Sequence, residues 1–295
     1  MRTFDFETWD VFTDKRFTGN PLAVVMNADG LSSAEMQTIT REFNLSETTF
    51  VLPPEDPSHT ARVRIFTLGY EMPFAGHPTV GTTIAIAKSR KLTGELLLEL
   101  NTGLFPVKVD FDGESAFAQF KNPNLPKEAG AAPDAALFEA AISLPEGSLD
   151  RVAHRPRVVG AGVNFIYVKA PLDAVRLAKV NSGAWEKLKL SETVGVFLYA
   201  EGGEGADASW HARMFAPDAG ILEDPATGSA CAALPGQIAL SQKLSDGVHN
   251  WIVEQGFEMG RPSRIELEVE AKAGAISSVR VGGRAVKVSQ GTLSI

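Results

Sequence analysis

Along this chain the spacing of apolar positions changes period several times, and the changes come twice in the same order. A glycine turn leads into a run of strand-forming residues at 19–25 and again at 162–168. Apolar residues then return at helical spacing. In the first half Met36, Ile39 and Phe43 share a face behind the capping-box pattern Ser32-x-x-Glu35, and the counterpart is a helix over 172–188 with Leu177 and Trp185 among its apolar residues. Strands follow at 47–52 and 194–199, then at 64–67 and 213–216, at offsets of 147 and 149 residues. Each half continues through a glycine-marked turn into a helix of small residues, Ala75-Gly76-His77-Pro78-Thr79-Val80-Gly81 and Thr227-Gly228-Ser229-Ala230-Cys231-Ala232, and ends in alternating strands at 96–100 and 107–109, and at 265–269 and 279–281.

Six elements recurring in order at a nearly constant offset predict a duplicated α+β domain rather than one mixed α/β domain. The Pro- and Ala-rich stretch 122–134 breaks both periodicities and reads as the linker. The expected lobes are therefore 1–126 and 127–295, with the final strand free to pack back on the first lobe.

Composition narrows the function classes. The 295 residues, 44% of them hydrophobic, suffice for two cores, and a net charge of −8 with no clustered Lys and Arg argues against a nucleic-acid surface. No apolar stretch is long enough for a bilayer and the first residues lack a leader pattern, so the expected location is cytoplasmic. The single cysteine, Cys231, leaves no internal disulfide. The five histidines are dispersed without metal-ligand spacing, and no phosphate-cradling G-x-G-x-x-G follows a strand, so neither a metal nor an organic cofactor is expected.

The candidate chemistry sits at the two small-residue helix starts, where free N–H groups and a partial positive charge attract an anion. Two such starts facing one another would clamp a small carboxylate, while a single glycine-rich turn can equally serve close helix packing. Glu47 opens an otherwise apolar strand. It is either a solvated strand-end charge or, where burial raises its pKa, a general acid/base, and the matched position by sequence offset, Val194, carries no proton. His77 is expected neutral because it adjoins a helix start, with capping as its plain alternative. Asp224 reads as an N-cap or a substrate contact, and Cys231 as a core residue rather than a nucleophile.

At these residues the chain resembles the phenazine-biosynthesis-like (PhzF-like) isomerase family, which shares a two-lobed fold with diaminopimelate epimerase. The resemblance covers nearly the whole chain through the segments 17–24, 44–51, 75–81, 223–230 and 255–263. It implies two pseudo-symmetric lobes, each a β-barrel-like sheet wrapped around a central helix, with the site between them. It implies Glu47 as general acid/base assisted by His77 and Asp224, substrate contacts from Asn20, Ser46, Gly76, Gly228 and Ser229, and a homodimer. Characterised members isomerise a dihydro-hydroxyanthranilate by moving a proton without a cofactor. The related epimerases and racemases use a cysteine before each glycine turn, and here those places hold Ala75 and Thr227. The resulting expectation is a one-base proton shift on a small, anionic metabolite, with a lyase or dehydratase, or a non-catalytic binding protein, as the competing readings.

Overall fold

The computed structural model describes residues 1–113, 115–190 and 193–295, and its contacts divide the chain into two compact units, Met1–Lys121 with Gly282–Ile295, and Asn122–Val281. The first unit thus ends a few residues before the division expected after 126, and it takes back the end of the chain.

In the first unit, strands β1 (Thr3–Val11), β2 (Asn20–Val25), β3 (Glu47–Leu52) and β4 (Ala61–Thr67) pair in order, with a short β5 (Glu71–Met72) folded back on β4. β4 runs parallel to β6 (Gly94–Leu100), which continues antiparallel through β7 (Gly103–Asp112) to β8 (Ser115–Lys121). The last strand of the chain pairs with both β8 and β1, so eight strands close a barrel. Inside it lies helix α2 (Gly76–Arg90), whose residues from Gly76 to Ala87 are all buried. A helix enclosed by strands must be apolar or self-satisfied on every side. Its threonines meet that demand: Thr79 and Thr83 donate to the carbonyls of Ala75 and Thr79, and Thr82 shares a 2.7 Å hydrogen bond with Thr49 on β3. A β-carbon at Gly81 would stand 2.6 Å from a Val11 methyl and 2.7 Å from one of Leu22, so glycine is what lets the helix pass the barrel wall. Helix α1 (Ser33–Phe43) lies outside, with the expected capping box in place and Met36 and Ile39 in a cluster with Phe4, Phe50 and Phe66.

The second unit repeats the plan. Strand β9 (Lys127–Gly130) pairs with β10 (Arg157–Gly160), then β11 (Asn164–Lys169), β12 (Val196–Glu201) and β13 (Trp210–Ala216) follow. β14 (Ile221–Asp224) folds back on β13, which runs parallel to β15 (Gly247–Gln255), and β15 pairs with β16 (Ser263–Lys272). The chain then turns into β17 (Ala275–Ser294), whose second half is the closing strand of the first unit. The central helix is the sixth: after α3 (Ala135–Ala141), α4 (Leu172–Leu177) and α5 (Ser182–Trp185) comes α6 (Gly228–Ser241), buried from Ala230 to Ile238. Among the described residues no helix is long and apolar enough to cross a membrane.

Three expectations change here. The helix expected over 172–188 is two short ones, α4 and α5. Arg213 takes the carbonyls of Val175 and Ala178 at 3.1 and 2.6 Å, and the N–H groups of Lys179 and Asn181 bond to Ile142 and Ala141, so the backbone leaves the helix in between. The stretch expected to be a linker contributes β9. The strand register also pairs Arg64 with Phe50 and Arg213 with Leu198, so the counterpart of Glu47 is Gly195, not Val194. A β-carbon at Gly195 would run into the Phe215 carbonyl oxygen, so the second unit has no room for a side chain there.

One side-chain device recurs in both units. Arg64 forks onto Glu71 (2.7 and 2.5 Å) with its guanidinium 5.1 Å from the Phe66 ring centre, and Arg213 forks onto Glu223 (2.8 Å twice) with its guanidinium 5.0 Å from that of Phe215. Each fork ties the central strand to the short return strand five residues before the glycine of the helix start. Bidentate pairing fixes geometry as well as adding energy.

Candidate active site

In the first unit the chain leaves α1 through Asn44, which sits in the left-handed region (φ 53°) and closes the helix with its N–H on the Thr40 carbonyl. Two residues further on lies half-buried Ser46, and Glu47 then enters β3 opposite Thr67. The Glu47 carboxylate is 15% exposed and one of its oxygens lies 3.5 Å from Nδ1 of His77, the second residue of α2. The Pro21 backbone also reaches the imidazole, so the start of β2, where Asn20 is fully buried, belongs to the same cluster. Asn20, Glu47, Gly76 and His77 are thus gathered in one unit, with Ser46 beside Glu47 in the chain.

Burial pushes the His77 imidazole down to about 3, against a small opposing effect of the Pro21 hydrogen bond. The sequence-based expectation of a neutral ring holds, but the cause is burial rather than the helix start. Its contact with Glu47 is therefore a polar contact of a neutral ring and not an ion pair. His77 Nε2 is buried without a hydrogen-bond partner.

That burial has a consequence for stability. A histidine whose folded pKa lies below its unfolded value binds fewer protons when folded, so it costs stability as pH falls from about 6.5 towards 3, by roughly 5 kcal/mol in all. Buried His211 in the second unit has the opposite sign: it loses to desolvation but gains more from Glu258 at 2.8 Å, its pKa is raised, and its contribution is lost as pH rises through the folded value. His77→Asn is expected to flatten the acid side of the stability curve between pH 6 and 4, read from urea midpoints. Parallel curves for variant and wild type would show that the ring already charges in the folded state.

In the second unit Asp224 ends β14 and is 6% exposed. It lies three residues before the N-cap position of α6. The N-cap position belongs to Thr227, whose hydroxyl donates to Asp224 Oδ2 at 2.5 Å and does not cap the helix. Gln255 completes the cluster: its Oε1 accepts from the Thr227 N–H (3.1 Å), and its Nε2 donates to the Asp224 carbonyl (2.7 Å) and to Thr227 Oγ1 (2.9 Å). Gly228 and half-buried Ser229 open the helix. Cys231 is buried one turn further in, and burial followed by the charge of Asp224 pushes its thiol far up, which keeps it a neutral core residue.

The two helix starts carry the same frame with different chemistry. Glu71-Met72-Pro73-Phe74-Ala75-Gly76-His77 matches Glu223-Asp224-Pro225-Ala226-Thr227-Gly228-Ser229 position for position. Neither N-cap residue caps its helix with its own side chain, because Ala75 has no polar group and Thr227 spends its hydroxyl on Asp224. Among the described residues no three His, Cys, Asp or Glu side chains gather as a metal-ligand set would.

This arrangement can be set beside known proteins. The profile of the PhzC-PhzF family, described as phenazine biosynthesis-like protein, matches residues 9–291. The chain belongs to this family. An uncharacterized isomerase of Mesorhizobium japonicum is 41% identical over the full length of both chains. The trans-2,3-dihydro-3-hydroxyanthranilate isomerase of Pseudomonas chlororaphis is 34% identical, covering 96% of this chain and 97% of its own. A Bacillus anthracis PhzF-family crystal structure superposes with a TM-score of 0.89 at 28% identity over the whole of both chains. The protein is a PhzF-like isomerase with the two-lobed, epimerase-like α+β architecture.

Several residues that shape this PhzF-like site escaped the sequence reading. Gln255 lies in a segment that carries the family resemblance, yet nothing in its spacing signals that its amide reaches back to Thr227. The Arg forks were half visible. Both arginines lie on the matched strands, but their glutamates follow at 7 and 10 residues, and only strand pairing brings them together.

Proposed function

We propose that this PhzF-like isomerase shifts a proton between two carbons of a small, carboxylate-bearing metabolite, with Glu47 as the one general acid/base and no cofactor. The carboxylate takes a proton from one carbon, the C–H electrons move into the adjacent unsaturated system, and the same group returns the proton to another carbon. The observation that supports this reading is the 3.5 Å contact of the mostly buried Glu47 carboxylate with a neutral His77, a ring that can exchange hydrogen bonds without competing for charge. Asp224 and the two helix starts serve the same substrate, and the helix N–H groups stabilise the charge that develops on it. A single base suits the sequence at the helix starts, since neither Ala75 nor an already bonded Thr227 is placed to act as a second proton carrier.

The first compound to offer is trans-2,3-dihydro-3-hydroxyanthranilate, the substrate in the name of the P. chlororaphis relative. Mass spectrometry of a reaction in D2O is expected to show a product of unchanged composition, carrying a deuterium where solvent exchange outruns internal return. A product lighter by a leaving group would replace this reading with a lyase.

A further inference from the structure

We propose that Gln255 is a positioning residue that holds the Thr227 hydroxyl on Asp224 Oδ2 and thereby fixes the orientation of the Asp224 carboxylate. This deepens the assignment of Asp224 to the site and rests on it.

The argument is one of donors and acceptors. Thr227 N–H can only donate and the Asp224 backbone carbonyl can only accept, so the two fix which end of the Gln255 amide is which: Oε1 faces the N–H at 3.1 Å and Nε2 the carbonyl at 2.7 Å. Nε2 then presents its second hydrogen to Thr227 Oγ1 at 2.9 Å. An ionised carboxylate can only accept, so the hydroxyl hydrogen goes to Asp224 Oδ2 at 2.5 Å, and the amide on the other side of Oγ1 holds the hydroxyl in that line. Oδ2 is thereby an acceptor.

The frame around Gln255 makes this amide hard to turn. It is fully buried at the end of β15, paired to Ala212 on one side and Ser263 on the other. The next residue, Gly256 (φ 77°), passes so close to the helix turn that a β-carbon would stand 2.7 Å from the Pro225 carbonyl oxygen and 2.5 Å from that of Arg261. A flipped amide would set Oε1 against a carbonyl and strand the Thr227 N–H, two buried losses at once.

Neutron diffraction from wild-type crystals grown in D2O near neutral pD tests the proposal without any substrate or variant. The expected density places the Thr227 deuteron in line with Asp224 Oδ2 and none on Oδ2. A deuteron on Oδ2, or a Gln255 amide in the opposite sense, overturns it.

A kinetic arm, run with trans-2,3-dihydro-3-hydroxyanthranilate, tests the link to turnover. Thr227→Val and Gln255→Leu are each expected to lower kcat about tenfold or more with KM within twofold, Thr227→Ser to retain activity, and the double variant to fall no further than the worse single one. Independent, multiplying losses would give Gln255 a merely structural role. Failure of the compound to react would count against the proposed reaction and leave the neutron result to decide the hydrogen-bond direction.

Discussion

Glu47→Gln is expected to abolish turnover by on the order of a hundredfold or more while leaving the fold and substrate affinity in place. Glutamine keeps the length and polarity of glutamate. The strand it opens is held by backbone pairing to Thr67, and the 15% exposure of the side chain leaves no large packing loss. What glutamine cannot do is carry a proton from one carbon to another. His77, neutral and pushed down to about 3, is a poor replacement base. The decisive comparison is kinetic, at equal folded fraction. If Glu47→Gln turned over normally while His77→Ala or Asp224→Asn abolished the reaction in folded protein, Glu47 would be a strand-end charge and the base would lie at the helix starts.

The largest stability effect is expected at Arg213. Its side chain is 7% exposed, it holds Glu223 through two hydrogen bonds, and its remaining arm satisfies the carbonyls where α4 ends. Arg213→Ala strands a buried carboxylate and two carbonyls together, a loss of about 3–5 kcal/mol. The matching fork is more open, with side-chain exposures of 16% for Arg64 and 25% for Glu71, and water can take over part of what Arg64→Ala removes. That variant is expected to cost less than half as much. Urea unfolding of the two single variants and of Arg213→Met/Glu223→Met checks this, since replacing both partners is expected to cost less than removing the arginine alone. Equal losses at the two forks would mean that burial does not set their worth.

The contrast between what the sequence carries and what it hides follows from range. The repeated plan was legible because strand and helix periods are local. Residues 47–52 and 76–90 alternate or crowd in ways their own neighbours dictate, and the capping box of Ser32 and Glu35 is complete within four residues. The break between α4 and α5 was hidden because its cause, Arg213, lies some 35 residues away on another strand. The shift from Val194 to Gly195 was hidden for a similar reason. Counting offsets along the chain assumes loops of equal length, whereas the register is set by pairing with β13. Glu47, His77 and Asp224 stood out because polar residues at the edges of apolar elements are conspicuous. Gln255 did not, because its role is defined by two groups about thirty residues upstream and by the direction of their hydrogens.

The shared ownership of β17 bears on how the protein is made. Residues 122–281 form one unbroken stretch and can complete their own set of contacts as they are translated, whereas the first barrel closes only when residues 282–294 have joined β1 and β8. Until then the earlier 121 residues carry two open strand edges and a helix meant for a closed interior, the condition in which nascent chains pair with the wrong neighbours. The part of the enzyme that is synthesised first is thus the part that matures last, and Glu47 and His77 reside in it.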